Sequence, residues 1–214
     1  MGETHFIKHS LKPSLIHVER KSDLHVLSND KTRKTCMDGW VKDNPDATVD
    51  EAVKRTARDT SVLFQQNLSD TLTKALETKS DLQIVYLDKN YIPGDIGTTI
   101  NTINNHEANQ TASITKVALV PHIENPLQNF PFSLSFFIQC YIRCLDRSGH
   151  LTLPNEDPER LLEILKLFFL QFKNTKNFDG EFVDAFGFDD LLAVNFTLEH
   201  KDLELPPQLE RLLK

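Results

Sequence analysis

The sequence predicts an α/β fold, a parallel sheet flanked by helices. Apolar runs of strand length, "DLHVLS", "IVYL" and "ITKVALV", recur along the chain. Between them lie long segments with helical apolar spacing, the arrangement that crosses over a parallel sheet. No internal repeat or low-complexity segment interrupts the 214 residues, so a single domain over 1–214 with a sizeable core is expected.

The first strand is read in "SDLHVLSND", where Leu24, Val26 and Ser28 alternate with polar neighbours. Asp30 closes it and is placed to cap the next helix, "DKTRKTCMDGWVK". After the polar break "DNPDATVDEA", Thr48 and Glu51 have the spacing of a capping box. A long amphipathic helix runs from there to about Thr78. Its stripe is made by Ala52, Val53, Ala57, Leu63, Phe64, Leu68, Leu72, Ala75 and Leu76.

The unbroken run Ile84-Val85-Tyr86-Leu87 reads as a strand buried on both faces. The turn "YIPGDIG" leads into residues 98–110, the least core-like part of the chain. A further strand is expected in the same sheet over 116–120, closed by Pro121. "LSFFIQCYIRCLDR" and "PERLLEILKLFFLQF" have helical spacing, and the segment from about 157 to 214 is expected to be helical. Its aromatic stretch "AFGFDDLLAVNFTL" is apolar enough to join the core.

A hydrophobic fraction of 39% with 26% charged residues describes a soluble globular chain. The formal charge of −7 excludes nucleic-acid binding through a broad basic surface and leaves room for a few basic residues in a cleft. Three cysteines, Cys36, Cys140 and Cys144, do not make a disulfide framework. Cys140 and Cys144 stand one helical turn apart without further ligands nearby in sequence, which suits buried thiols better than zinc. No apolar run reaches membrane-spanning length and no signal-peptide core opens the chain. An intracellular protein, cytoplasmic or nuclear, with no membrane partner is expected.

Ligands of parallel sheets sit beyond the carboxyl ends of the strands. In "SNDKTR", Asp30 ends a strand and Arg33 stands on the first turn of the following helix. A carboxylate there can accept a hydroxyl proton, and the guanidinium can bind a phosphate. The plain alternative is a capping Asp30 beside a solvated Arg33. In "YLDKN", Asp88 and Asn90 straddle a strand end. They either orient loops or metal-bound water near phosphates, or satisfy the backbone of a turn.

Arg143 and Arg147 are one turn apart on an apolar helix and project from one face. They clamp a polyphosphate or edge the helix with Asp146 as partner, while His150 reads as a lid or loop histidine without catalytic duty. The opening "MGETHF" sets Gly2 and Thr4 around Glu3, as where a phosphate loop passes into its helix. That loop carries lysine where this chain has Glu3.

Taken in order, "SNDKTRKTCM", "IVYLDKNYIP" and "IRCLDRSGHLTLP" resemble the P-loop 5′-hydroxyl polynucleotide kinases, and most of all the kinase domain of fungal-type tRNA ligases. The resemblance spans roughly residues 2–154. It implies a P-loop kinase-like fold lacking the first strand and most of the phosphate loop. It also implies ATP-dependent phosphoryl transfer to an RNA 5′ end in RNA repair or tRNA splicing, with ATP or GTP and Mg, and ligase or phosphodiesterase domains on a longer chain.

By the same resemblance, Asp30 matches the general base and Arg33 the arginine on the acceptor's neighbouring phosphate. Asp88 and Asn90 match the strand end below the acceptor pocket. Arg143 and Arg147 match arginines of a lid at about 140–154, Arg147 being the one that contacts the donor phosphates during catalysis. His150 fits a histidine of the tRNA-ligase lid. Gly2 and Thr4 match the remnant of the donor loop, with Thr4 in the place of its Mg ligand.

The departures concern the donor side. The front half of the loop is missing, and Glu3 would set a negative charge against phosphates, a repulsion on the order of several kcal/mol at contact. The expectation is a truncated kinase domain without activity, or a degenerate kinase-like module that binds without catalysis. An unrelated α/β interaction domain is the third reading.

Overall fold

The structure, a computed structural model, describes residues 11, 12, 15, 21–122, 134–146, 156–172 and 180–195. The elements follow in the order β1 (Ser22–Ser28), α1 (Asn29–Asp43), α2 (Val49–Glu77), β2 (Leu82–Asp88), α3 (Pro93–Asn105), α4 (Ala108–Thr111), β3 (Val117–His122), α5 (Leu134–Leu145), α6 (Pro158–Leu170), α7 (Gly180–Phe186) and β4 (Asp190–Asn195). Helices with short parallel strands make the chain α/β. β1 pairs with β2 in parallel, from Ser22 opposite Leu82 to Ser28 opposite Asp88. β3 pairs in parallel with β4, from Val117 opposite Asp190 to His122 opposite Asn195.

Two expectations are corrected here. Among the described residues the third strand does not join β1 and β2 but forms a separate two-stranded sheet. Its partner lies in the C-terminal segment expected to be helical, which runs through α6 and α7 and then turns into a strand. The turn is made by Gly187, whose φ of 74° is open to glycine at little cost. The amides of Gly187 and Phe188 both donate to Val183 O, closing α7 and releasing the chain into "DLLAVN".

Alternation along β1 and β2 sorts their side chains onto two faces. Leu27, Val85 and Leu87 pack against Leu68, Leu72, Ile103 and Ala108 from α2, α3 and α4. Leu24 and Val26 belong to the opposite face, where Val26 is 43% exposed. β2, expected to be buried on both faces, is half-buried except at Tyr86. With a single neighbour each among the described residues, neither strand is enclosed as a central strand would be.

The sheet's first turn is polar. Asp23 stands opposite Gln83, whose Nε2 donates to Asp23 Oδ2 at 3.4 Å and whose Oε1 lies 2.9 Å from His25 Nε2. Ser80 Oγ donates to the same carboxylate. A slip of one residue would break all these contacts and invert both faces, so the network holds register.

α2 starts as its spacing predicts: Thr48 Oγ1 accepts from the Glu51 amide at 3.2 Å. The buried line differs from the expected stripe. It runs through Ala52, Thr56, Thr60, Phe64, Leu68, Leu72 and Ala75, while Ala57 and Leu76 are exposed. Spacing of nearly four residues per step winds the line roughly 140° around the helix over its length. The winding carries the contact from α1 onto β1 and β2 and then onto α4. Thr56 suits burial because its Oγ1 donates to Ala52 O at 2.8 Å.

Residues 98–110 are also more core-like than their polarity suggests. Ile96, Thr99, Ile100 and Ile103 are the buried line of α3. Gln65 of α2 donates to Thr99 Oγ1 at 3.1 Å and accepts from Thr102 Oγ1 at 2.8 Å. His106 accepts the Ala108 amide at Nδ1 and sets Nε2 3.2 Å from Thr73 Oγ1. Ile96 and Ile100 meet Phe182, Tyr91, Phe186, Phe188 and Leu191, whereas Ile103 belongs to the cluster under β1 and β2. α3 therefore joins the two sheets.

Two measurements check these assignments. Thr60 Oγ1 is buried without a hydrogen-bond partner among the described residues, so Thr60→Val should raise stability by about 1 kcal/mol in urea unfolding. Destabilisation would mean that the hydroxyl is satisfied. The Asp23 carboxyl is held below its ordinary 3.8, chiefly by the hydrogen bond from Ser80. A depressed folded value stabilises fully above 3.8 and is lost as pH falls through that lower value. The stability gap between the native chain and Asp23→Asn should therefore shrink when unfolding is repeated well below pH 3.8; a constant gap would exclude the linkage.

Candidate functional site

Parallel pairing determines where the candidate site forms. Ser28 and Asp88 are the last partners of β1 and β2, so both chains leave the sheet at one carboxyl edge. β1 passes into α1 without a loop: Ser28 is the helix's N-cap residue, and Asp30 lies in the first helical turn. Asp30 is thus not the cap that its sequence position suggests. The cap carries no side-chain hydrogen bond to the helix amides, and Thr32 Oγ1 donates back to Ser28 O at 3.1 Å.

One turn on, Arg33 Nη1 lies 3.7 Å from Asp30 Oδ1, with the arginine side chain 27% and the aspartate 59% exposed. With the aspartate exposed and the arginine half-buried, such a pair contributes about 0–1 kcal/mol.

At the end of β2 the Lys89 amide donates to Leu87 O at 3.1 Å. This closes a three-residue turn centred on Asp88. Asp88 is half-buried and Asn90 exposed.

Between them is a residue that sequence reasoning missed. Lys89 sends its ammonium inward, where its side chain is 8% exposed and its Nζ lies 3.0 Å from Asp95 Oδ2. The same nitrogen sits over the rings of Phe64 and Tyr91, 5.2 Å from each centroid. Aromatic faces carry negative charge density and favour a desolvated cation. Asp95 adds a full charge from the first turn of α3, where helix amides also favour an anion. The sequence signal was slight: a lysine just past an apolar run, and an aspartate beyond the next proline.

Arg143 is half-buried in the last turn of α5. That helix packs on α6 through Phe137 and Phe169, whose ring centroids are 5.1 Å apart, and through Tyr141 Oη donating to Pro158 O at 3.4 Å. Burial, with Cys144 adding to it, pushes the Cys140 thiol up to about 11, so it stays protonated at neutral pH. Both cysteines are half-buried and outside any disulfide, less enclosed than expected. Arg147, His150, Gly2, Glu3 and Thr4 lie outside the described residues, as does the expected lid from 147 to 154. The structure thus brings Asp30, Arg33, Asp88 and Asn90 to one sheet edge and has Arg143 on a separate helix pair.

Among the described residues no group of three His, Cys, Asp or Glu side chains could hold a metal ion. No helix among them is long and apolar enough to cross a membrane. Comparison with protein-family models, curated proteins and solved structures returned no match to this chain.

The enclosed pair yields a test of its own. Asp95→Asn leaves the Lys89 ammonium facing two rings without its counter-charge. The loss should be about 2 kcal/mol in urea unfolding, below the roughly 3–5 of a fully buried pair because the Asp95 side chain keeps 36% of its exposure. Lys89→Met in the same background should recover stability by removing the stranded charge. Two additive losses would show that the residues do not interact.

Proposed function

We propose that the chain is a 5′-hydroxyl polynucleotide kinase-like domain of the RNA-repair and tRNA-splicing kind, with the RNA 5′ end bound at the carboxyl edge of β1 and β2. The observation that carries the reading is the shared edge: Asp30 and Asp88 follow from opposed strand ends in register. The motif resemblance assigned both to one acceptor pocket, and strands in antiparallel order or shifted register would have separated them.

In this reading the Asp30 carboxylate accepts the proton of the 5′-hydroxyl. Arg33 offers its guanidinium to the phosphate next along the RNA. Asp88 and Asn90 bound the floor of the pocket, and the resemblance assigns the donor phosphates to Arg143 and Arg147. For the donor itself the residues do not fit. ATP or GTP with Mg needs a phosphate loop with its lysine, and these 214 residues contain no complete G-x-x-x-x-G-K-[ST] while Glu3 has the opposite charge. No step is therefore routed through a nucleotide.

Fluorescence anisotropy with short RNA oligonucleotides tests the acceptor site. A 5′-hydroxyl end should bind more tightly than a 5′-phosphate end, and Arg33→Ala should weaken it about tenfold. Binding that ignores both the end group and Arg33 would overturn the reading. A labelled-phosphate assay tests descent. The native chain and Glu3→Lys should transfer nothing, while a chain given a complete strand and loop upstream together with Glu3→Lys should transfer and lose this with Asp30→Asn. A degenerate binding module shares the pocket and differs in one outcome: the rebuilt chain stays inactive.

A further inference from the structure

Lys89 lies between Asp88 and Asn90 in sequence and sends its ammonium into the cage formed by Phe64, Tyr91 and Asp95. We propose that it is a positioning residue, its caged ammonium holding the strand-end loop so that Asp88 and Asn90 face the bound RNA end; the second half of this inference rests on the acceptor-site reading. Three observations converge on it. The backbone bends sharply at Asp88, since the Lys89 amide bonds Leu87 O only two residues back. A turn that tight couples the backbone at Asp88 to what anchors the following residue.

That anchor reaches three parts of the fold. Phe64 belongs to α2, Tyr91 to the loop, and Asp95 to the first turn of α3. The ion pair ties residue 89 to residue 95 and so closes the loop on itself. Tyr91 in turn packs in the cluster beneath α7 and β4, which couples the loop to the second sheet.

Chemistry also favours positioning over packing. An ammonium that gives up water gains less than an apolar side chain of equal length would, so bulk alone calls for methionine. The lysine adds direction: one ion pair and two ring faces define a single position for Nζ, and with it the path of the backbone.

The test uses the whole chain with Lys89→Met, Lys89→Arg and Asp95→Asn. Amide hydrogen exchange reads the loop, anisotropy reads 5′-hydroxyl RNA, and circular dichroism reads folding. Lys89→Met should keep the fold, exchange amides of residues 88–95 about tenfold faster and bind RNA at least about fivefold more weakly. Lys89→Arg should recover more than half of that affinity. Unchanged exchange in Lys89→Met overturns the tether, whatever the RNA result. Faster exchange with unchanged affinity overturns the positioning role and leaves a structural one. Should Lys89→Met fail to fold, Asp95→Asn carries the same expectations and the same refutations. If the native chain does not distinguish a 5′-hydroxyl end, the acceptor-site reading fails and the positioning claim with it; exchange still decides the tether.

Discussion

Every residue of β1 has a parallel partner on β2, and this pairing constrains nearly everything around it. Parallel strands cannot be joined by a tight turn, so the chain must return across the sheet before β2 begins. α1 and α2 make that return, and α2 covers one face while doing so. The same geometry brings both strand ends out on one side, where Asp30 and Asp88 follow. Polar contacts among Asp23, Ser80, Gln83 and His25 hold the register at the opposite end. The candidate site is thus specified by a hydrogen-bond network at the far side of the sheet.

Local signals were legible where a short stretch of chain determines the outcome. The Thr48 cap follows from nearby residues, and the parallel pairing of β1 with β2, with the shared edge of Asp30 and Asp88, follows from strands separated by long helices. The partnership of the later strands was not legible. "VALVPH" has strand character by itself, but nothing in it chooses β4 over β1 or β2. β4 hid inside an aromatic segment that begins in a helix, and Gly187 marked the break. Threonine misled the apolar count: Thr56, Thr60 and Thr99 are all buried, and the α2 backbone and Gln65 satisfy the hydroxyls of Thr56 and Thr99. Lys89 was missed for the same reason, since its cage is built from residues 25 positions upstream and six downstream.

The two ion pairs at the sheet edge have opposite characters. Asp30 and Arg33 meet at 3.7 Å, the aspartate exposed and the arginine half-buried, where water screens the carboxylate. Lys89 and Asp95 meet at 3.0 Å against two rings, where release would strand a charge in apolar surroundings. Solvent attenuates the first pair, while the second ties the loop after β2 to α3.

The loopless junction between β1 and α1 has a consequence for how this fold can vary. Each residue added or removed after Ser28 would rotate α1 by about 100° and shift it about 1.5 Å along its axis. Such a change would carry Asp30 and Arg33 off the sheet edge and drag the α1 contact line away from α2. The connection between α1 and α2 is a short turn in which the Ala47 amide donates to Asn44 O at 3.1 Å, and a change of length there leaves Asp30 and Arg33 at the sheet edge. The stretch from Ser28 to Arg33 must keep its count.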